Sequence, residues 1–405
     1  MSAATLALFC RVIDNFGDIG VCWRLARQLA HEYKLQVQLW VDDLVSFQKL
    51  CPAIQPSLPR QYLHGIEILL WNDESFAAAQ EVQVCDMVIE GFACSLPEPY
   101  LAAMLKRSKT PIWINLEYLS AEAWVESCHG LPSPHPQSGM LKYFYFPGFT
   151  PATGGLLAEH DLTVRRQVFQ ENPQAIEIFW QSLGVQTLPG ELKISMFCYP
   201  HAPLLALFQI WQQSERPILC LLPQGVAQAA AREFFADELV VGQCYQRGAL
   251  RVHILPFVAQ EQYDQLLWAS DINFVRGEDS FVRAQWAARP FVWQIYPQQD
   301  AVHLDKLDAF LQRYEASLDA NAQQACGQLW RVWNQTQIDI AADGKMAQTA
   351  EIAPSAEMGE QLALAWQEFL AKQSSFAQHA EKWAQMLAKN GDLAARLMQF
   401  MQKIG

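Results

Sequence analysis

Several familiar signatures are missing from this chain of 405 residues. No G-x-G-x-x-G occurs, so the fingerprint of a dinucleotide-binding oxidoreductase is absent. There is no D-x-D triplet to bridge a metal ion and a diphosphate, and no C-x-x-C pair. The ten cysteines occur singly, away from histidines at zinc-binding spacing, which reads as reduced and mostly buried thiols. Positive charge is scarce: 29 Lys and Arg against 42 Asp and Glu give a formal net charge of −13. That balance disfavours general attraction to nucleic acid or an anionic membrane and steers in a basic protein partner. No apolar run approaches the roughly 20 residues of a membrane span. Residues 1–10 lack the basic start and apolar core of a secretory signal, so the expected location is the cytoplasm. What is plentiful is core-forming material, 51% hydrophobic and 12% aromatic, enough for two domains.

The apolar runs alternate with helical spacing. Leu6–Cys10, Val37–Val41, Gly65–Leu70, Met87–Glu90 and Pro111–Asn115 read as strands, several of them separated by helices. A second alternation runs through Leu192–Cys198, Ile218–Leu222, Val252–Leu255, Asp271–Val275 and Phe291–Trp293. Strand–helix alternation implies parallel sheets covered on both faces, so the expected class is α/β, two Rossmann-like domains facing across a cleft. The expected division is 1–185, 186–375 and a helical tail, 376–405, packing back on the first domain. Residues 128–155, rich in proline, glycine and aromatics, read as ordered loops near an interface, and 335–358 carries too little pattern for an assignment.

Two stretches carry chemistry. In the first, Asp14-Asn15-Phe16-Gly17-Asp18-Ile19-Gly20 follows a strand and leads into a helix. Gly17 and Gly20 suit a tight turn and close approach of backbone to a ligand. Asp14 and Asp18 would repel a phosphate at that helix start, so the loop is expected to hold an uncharged or cationic reactant. Two carboxylates four positions apart suit a task in which one removes a proton and the other orients the nucleophile, although an aspartate at such a place is equally a helix cap. In the second stretch, Arg276-Gly277-Glu278-Asp279-Ser280 again joins a strand to a helix. Here Arg276, Ser280 and the amides of the helix start can hold phosphate oxygens, while Glu278 and Asp279 can accept from sugar hydroxyls. The plain alternative is a capped helix with a surface ion pair. Phe257 can offer its face to a base or simply fill core, and Tyr199 is equally ambiguous. His201 and His303 lack metal-ligand spacing and read as structural.

Taken together, RVIDNFGDIGVCWRLARQLA, VIEGFACSLPE, WINLEYLSAE, KYFYFPGF with the following GGL, LPFVAQEQYDQLLWASD and VRGEDSFVRAQWAARPFVWQIYPQQDAVHLDKL closely resemble the bacterial protein-arginine rhamnosyltransferases that modify elongation factor P. The resemblance runs to about Leu307. It implies a GT-B glycosyltransferase that moves L-rhamnose from dTDP-β-L-rhamnose to an arginine side chain, with inversion and without a metal or other cofactor. It further implies that Asp18 is the general base or orienting carboxylate, with Asp14 supporting it, and that Glu278 holds donor and active-site geometry together. By the same likeness Arg276, Asp279 and Ser280 clamp the diphosphate, Phe257 and Gln260 form the thymine pocket, and Tyr199 contacts phosphate. Asn15, Phe16 and Gly17 match the acceptor-side loop near the rhamnose. The implied partners are elongation factor P and the nucleotide sugar, with no direct nucleic acid and no membrane. Two other readings stand beside this one: a GT-B transferase using another nucleotide sugar, and a non-catalytic nucleotide-sugar sensor that binds the factor.

Overall fold

The computed structural model describes residues 4–13, 16–72, 83–298, 301–335 and 356–405. Its contacts divide the chain into two compact units, Met1–His160 with Leu387–Gly405, and Asp161–Met386.

The first unit holds an eight-stranded sheet of β1 (Thr5–Cys10), β2 (Gln36–Val41), β3 (Arg60–Leu63), β4 (Ile66–Leu70), β5 (Met87–Gly91), β6 (Ile112–Leu116), β7 (Pro132–Pro134) and β8 (Leu141–Tyr145). They lie in the order β3-β4-β2-β1-β5-β6-β8-β7. The six central strands are parallel, and β3 and β7 close the edges antiparallel. Leu6–Cys10 and Met87–Gly91 are buried throughout, as continuous apolar runs covered on both faces should be. The chain reverses its winding between β1 and β5, and ligands of open parallel sheets gather outside the carboxyl ends of the strands at such a point. The chain leaves β1 there on its way to the helix that carries Asp18.

The second unit repeats the plan with six strands, β9 (Leu192–Met196), β10 (Ile218–Pro223), β11 (Cys244–Arg247), β12 (Leu250–Leu255), β13 (Ile272–Arg276) and β14 (Phe291–Gln294), ordered β11-β12-β10-β9-β13-β14. Only β11 is antiparallel. Its reversal point lies between β9 and β13, whose ends deliver Tyr199 and Arg276.

Three features differ from the sequence expectation. Residues 128–155 contain β7 and β8 as well as loops, and β8 is an interior parallel strand. Its side chains are mostly half-buried, so the prolines around it concealed a strand whose apolar signal is weak. Gly17 and Gly20 lie inside the helix Gly17–Glu32, and the amide of Gly20 already donates to the carbonyl of Phe16, so the helix begins one turn earlier than a loop reading implies. The contact division also groups residues 161–185 and 376–386 with the second unit. Gln170 donates to the carbonyls of Trp268 and Ala287, and Trp383 donates its indole N–H to Gln285, which fastens those helices there.

The last helix, Leu393–Ile404, belongs to the first unit. Asp392 caps it by accepting from the Ala395 amide and also receives the Gln28 side chain from the first helix, while Phe400 packs against Tyr145 and Tyr143. Gly91 ends β5 at a close junction, where an added Cβ would meet the Phe9 carbonyl oxygen at 2.8 Å and the Cys22 sulfur at 2.9 Å. Backbone cannot yield there as a flexible side chain could, so Gly91→Ala is expected to destabilise the protein by about 1–3 kcal/mol in urea titrations. An unchanged midpoint would show that β5 and the first helix can part without cost.

Candidate functional site

At the end of β1 the chain turns through Arg11–Ile13 into the first helix. Asp18, in that helix's first turn, is 2% exposed, and its Oδ2 accepts the Ile13 amide at 2.8 Å. The carboxylate therefore ties the loop to the helix while bringing a buried negative charge to the reversal point. A carboxylate in a helix's first turn also sits favourably in the helix dipole. Phe16 occupies the N-cap without a side-chain cap bond, and Lys49 Nζ lies 5.9 Å from the centre of its ring. Gly17 opens the helix. Asp14 and Asn15 lie outside the described residues, so the geometry of the second carboxylate is not part of this site as described. Under the loop, burial raises the Cys10 thiol well above the ordinary range, with Cys22, Asp18 and Cys94 adding to it, as befits inert core thiols.

The neighbouring strand end supports this loop. Glu90, 1% exposed, accepts from the Leu96 amide at 3.0 Å and from Lys142 Nζ at 2.7 Å, so a charge deep in the sheet is paired rather than stranded. Neither residue stood out in the sequence, because 52 positions separate them.

In the second unit, Arg276 ends β13 with its guanidinium between two rings, 4.4 Å from the centre of Phe197 and 4.6 Å from that of Tyr199. One of its nitrogens donates to the Cys198 carbonyl at 3.1 Å. Stacking of this kind suits arginine's planar, always charged group and leaves a fixed cation at the reversal point. Tyr199, 1% exposed, is held by its amide donating to Gln294 Oε1 at 2.7 Å, and its ring stacks on His201. Burial pushes His201 down to about 4, helped by Arg276 and His303, so this imidazole is neutral near neutral pH and adds no charge. Gly277 takes a φ of +59°, a conformation glycine adopts without penalty.

Ser280 has a more local part than its sequence position suggests. Its hydroxyl donates to the Arg276 carbonyl at 2.5 Å and accepts the Arg276 amide at 3.0 Å, closing the turn around Gly277. Donation to a phosphate would require the hydroxyl to leave that carbonyl. Glu278 is the N-cap of the helix Asp279–Trp286 and is half-buried, without a side-chain cap bond. Asp279 Oδ2 accepts from Gln260 Nε2 at 3.4 Å, which brings the start of the helix Gln260–Ala269 beside the start of Asp279–Trp286. Phe257 is half-buried in the loop before Gln260. Among the described residues no group of three or more His, Cys, Asp or Glu side chains is placed to hold a metal ion. No described helix is long and apolar enough to cross a membrane.

One turn beyond Gln260 and Asp279, Asp264 and Arg283 form a two-pronged ion pair, 2.9 and 2.6 Å, with each residue 2% exposed. The sequence contained both residues in plain view, yet nothing in their 19-residue separation announced the bond. It locks together the two helices whose starts meet through Gln260 and Asp279. Removing one partner strands a buried charge, so Arg283→Ala is expected to cost about 3–5 kcal/mol, whereas Asp264→Leu with Arg283→Met is expected to be near neutral. Equal losses for the single and double variants in urea titrations would contradict this.

Residues 6–402 match the family described as Elongation-Factor P (EF-P) rhamnosyltransferase EarP. The protein-arginine rhamnosyltransferase of Pseudomonas putida is 44% identical over 398 residues, covering 98% of each chain, and that of Pseudomonas aeruginosa is 43% identical over the same coverage. A solved structure described as the structural basis for EarP-mediated arginine glycosylation of translation elongation factor EF-P is similar at 33% identity and a TM-score of 0.66, with 99% of both chains covered. Acinetobacter baumannii MurG shares the fold at 13% identity and a TM-score of 0.50, over 99% of this chain and 100% of that one. The chain belongs to the EarP family of EF-P rhamnosyltransferases, glycosyltransferases of the GT-B fold.

Proposed function

We propose that this protein transfers L-rhamnose from dTDP-β-L-rhamnose to an arginine side chain of elongation factor P, with inversion, using Asp18 as the base. The observation that carries the assignment of roles is the opposite charge at the two reversal points, a buried carboxylate after β1 and a ring-clamped guanidinium after β13. The donor's diphosphate belongs with Arg276 and the start of the helix Asp279–Trp286, and the thymine with Phe257 and Gln260. The cationic acceptor belongs with Asp18, Asp14 and the loop of Asn15, Phe16 and Gly17. Tyr199 fixes the Arg276 cation from one side, and Glu278, between the cation and the helix start, holds the sugar end of the donor.

The chemical obstacle is the nucleophile. A free guanidinium holds its proton to a pKa above about 12, and a carboxylate in water cannot remove it. Proton loss must therefore be coupled to attack, in surroundings that penalise two unneutralised charges and stabilise the charge growing on the leaving diphosphate. As the nitrogen bonds to the anomeric carbon, the bond to the diphosphate oxygen breaks, the proton passes to the Asp18 carboxylate, and dTDP leaves with the electron pair. A fixed arginine and helix-start amides supply the positive charge that other transferases take from a metal, so added chelator is expected to leave the rate unchanged. Inversion follows from attack on the face opposite the departing group.

A second reading, a nucleotide-sugar sensor that binds the factor without turnover, makes the opposite prediction for one variant. Asp18→Asn is expected to keep donor binding and lose about 10²-fold or more in turnover, the scale of general-base catalysis. Mass spectrometry of the factor checks it: the wild type adds one deoxyhexose to one arginine and the variant does not. Absence of that mass from the wild-type reaction would overturn the proposal.

A further inference from the structure

Trp293 and Gln294 close β14, the edge strand beyond Arg276. Gln294 is the register partner of Arg276 and is fully buried. Its side chain reaches past β13 to the segment leaving β9, where Oε1 accepts the Tyr199 amide at 2.7 Å. Its main-chain carbonyl accepts the Gly277 amide at 3.1 Å, and the indole of Trp293 donates to the Gly277 carbonyl at 2.8 Å. Both peptide groups flanking Gly277 are thus fixed from β14, and so is the backbone of the tyrosine that walls in Arg276. Two adjacent residues of one strand hold the exits of the other two.

The pair is itself anchored. Trp293 stacks on Phe281 at 3.9 Å and 11°. Asn334, which ends the helix Ala320–Trp333, donates to the Trp293 carbonyl at 2.8 Å and accepts the Ile295 amide at 3.0 Å.

For packing alone Gln294 is a poor choice. The bond from the Tyr199 amide decides which end of its carboxamide is oxygen, and the Nε2 that remains is buried with no hydrogen-bond partner among the described residues. A buried donor left unpaired costs stability, and a methionine would fill nearly the same space without one. What glutamine adds over methionine here is the acceptor for Tyr199.

We propose that Trp293 and Gln294 are positioning residues for the donor's diphosphate: from the edge strand they set the backbone of Tyr199 and Gly277, and through it the cage around Arg276, before the nucleotide sugar arrives. The inference rests on the reading that the diphosphate belongs with Arg276. A cage formed in advance lowers the ordering cost of binding, so its loss shows in donor affinity.

The test uses the full chain, dTDP, dTDP-rhamnose and the acceptor protein. Gln294→Met removes the acceptor for Tyr199 and the unpaired donor together, two changes of opposite sign for the fold, so the urea midpoint is expected to stay at the wild-type value. The dTDP dissociation constant and the donor KM are expected to rise by about ten-fold, with the acceptor KM within about two-fold of wild type. Trp293→Phe, which keeps a ring on Phe281 and loses the indole N–H, is expected to raise the same two constants. A merely structural part would lower the active fraction, and with it kcat and the urea midpoint, while both donor constants stayed at their wild-type values; that result would overturn the proposal. The wild type supplies a second measurement: in hydrogen exchange resolved to single amides, Tyr199 and Gly277 are expected to be protected before any dTDP is added. Rapid exchange that only dTDP slows would overturn it equally. Should both variants fail to fold, this exchange decides alone. Failure of the donor reading looks different: the wild type itself would then bind no dTDP, whatever the two amides did.

Discussion

The buried Asp18 carboxylate, held in place by the Ile13 amide, sets an acid at the first reversal point. A helix beginning just beyond a strand presents unpaired amides and a positive dipole end, and left to itself that corner attracts phosphate. Placing an acid in the first turn, nearly fully buried, reverses the preference. The second unit has the same strand-to-helix corner and the opposite choice: Arg276 lies ahead of the helix, gripped by Phe197 and Tyr199, and Ser280 cinches the turn. Two copies of one architecture thus carry side chains of opposite charge at the same corner.

The supporting structure keeps those side chains from relaxing. Glu90 and Lys142 pair beneath the first corner, and Gly91 lets β5 pass close to the Phe9 carbonyl and to Cys22 on the first helix. Asp264 and Arg283 tie the two helices of the second corner. Each arrangement buries charge or removes a Cβ, and each is costly to disturb, which suits corners proposed to hold reactants to a fraction of an ångström.

Much of this was legible in the chain. The buried parallel strands announce themselves as continuous apolar runs, and the two loops of interest follow strands and precede helices as their composition implies. β3, β7, β8 and β11 were not legible, because edge and half-exposed strands carry a weak apolar signal and β7 begins and ends with proline. Asp18 and Arg276 stood out by residue type within their motifs. Phe197, Gln294, Glu90 and the Asp264–Arg283 pair did not, since their parts depend on partners distant in sequence. Ser280 was visible as a polar residue at a helix start, but only the geometry reveals that its hydroxyl is occupied by the Arg276 backbone.

The division of charge between the corners is tested most directly by calorimetric titration of dTDP into three proteins: wild type, Arg276→Ala and Asp18→Asn. The expected result is binding to the wild type, affinity reduced by about 1.5–3 kcal/mol in Arg276→Ala as a charge-assisted contact is lost, and affinity preserved or slightly improved in Asp18→Asn. Weakened dTDP binding in Asp18→Asn with full affinity in Arg276→Ala would place the diphosphate at the first corner and contradict the assignment of both loops.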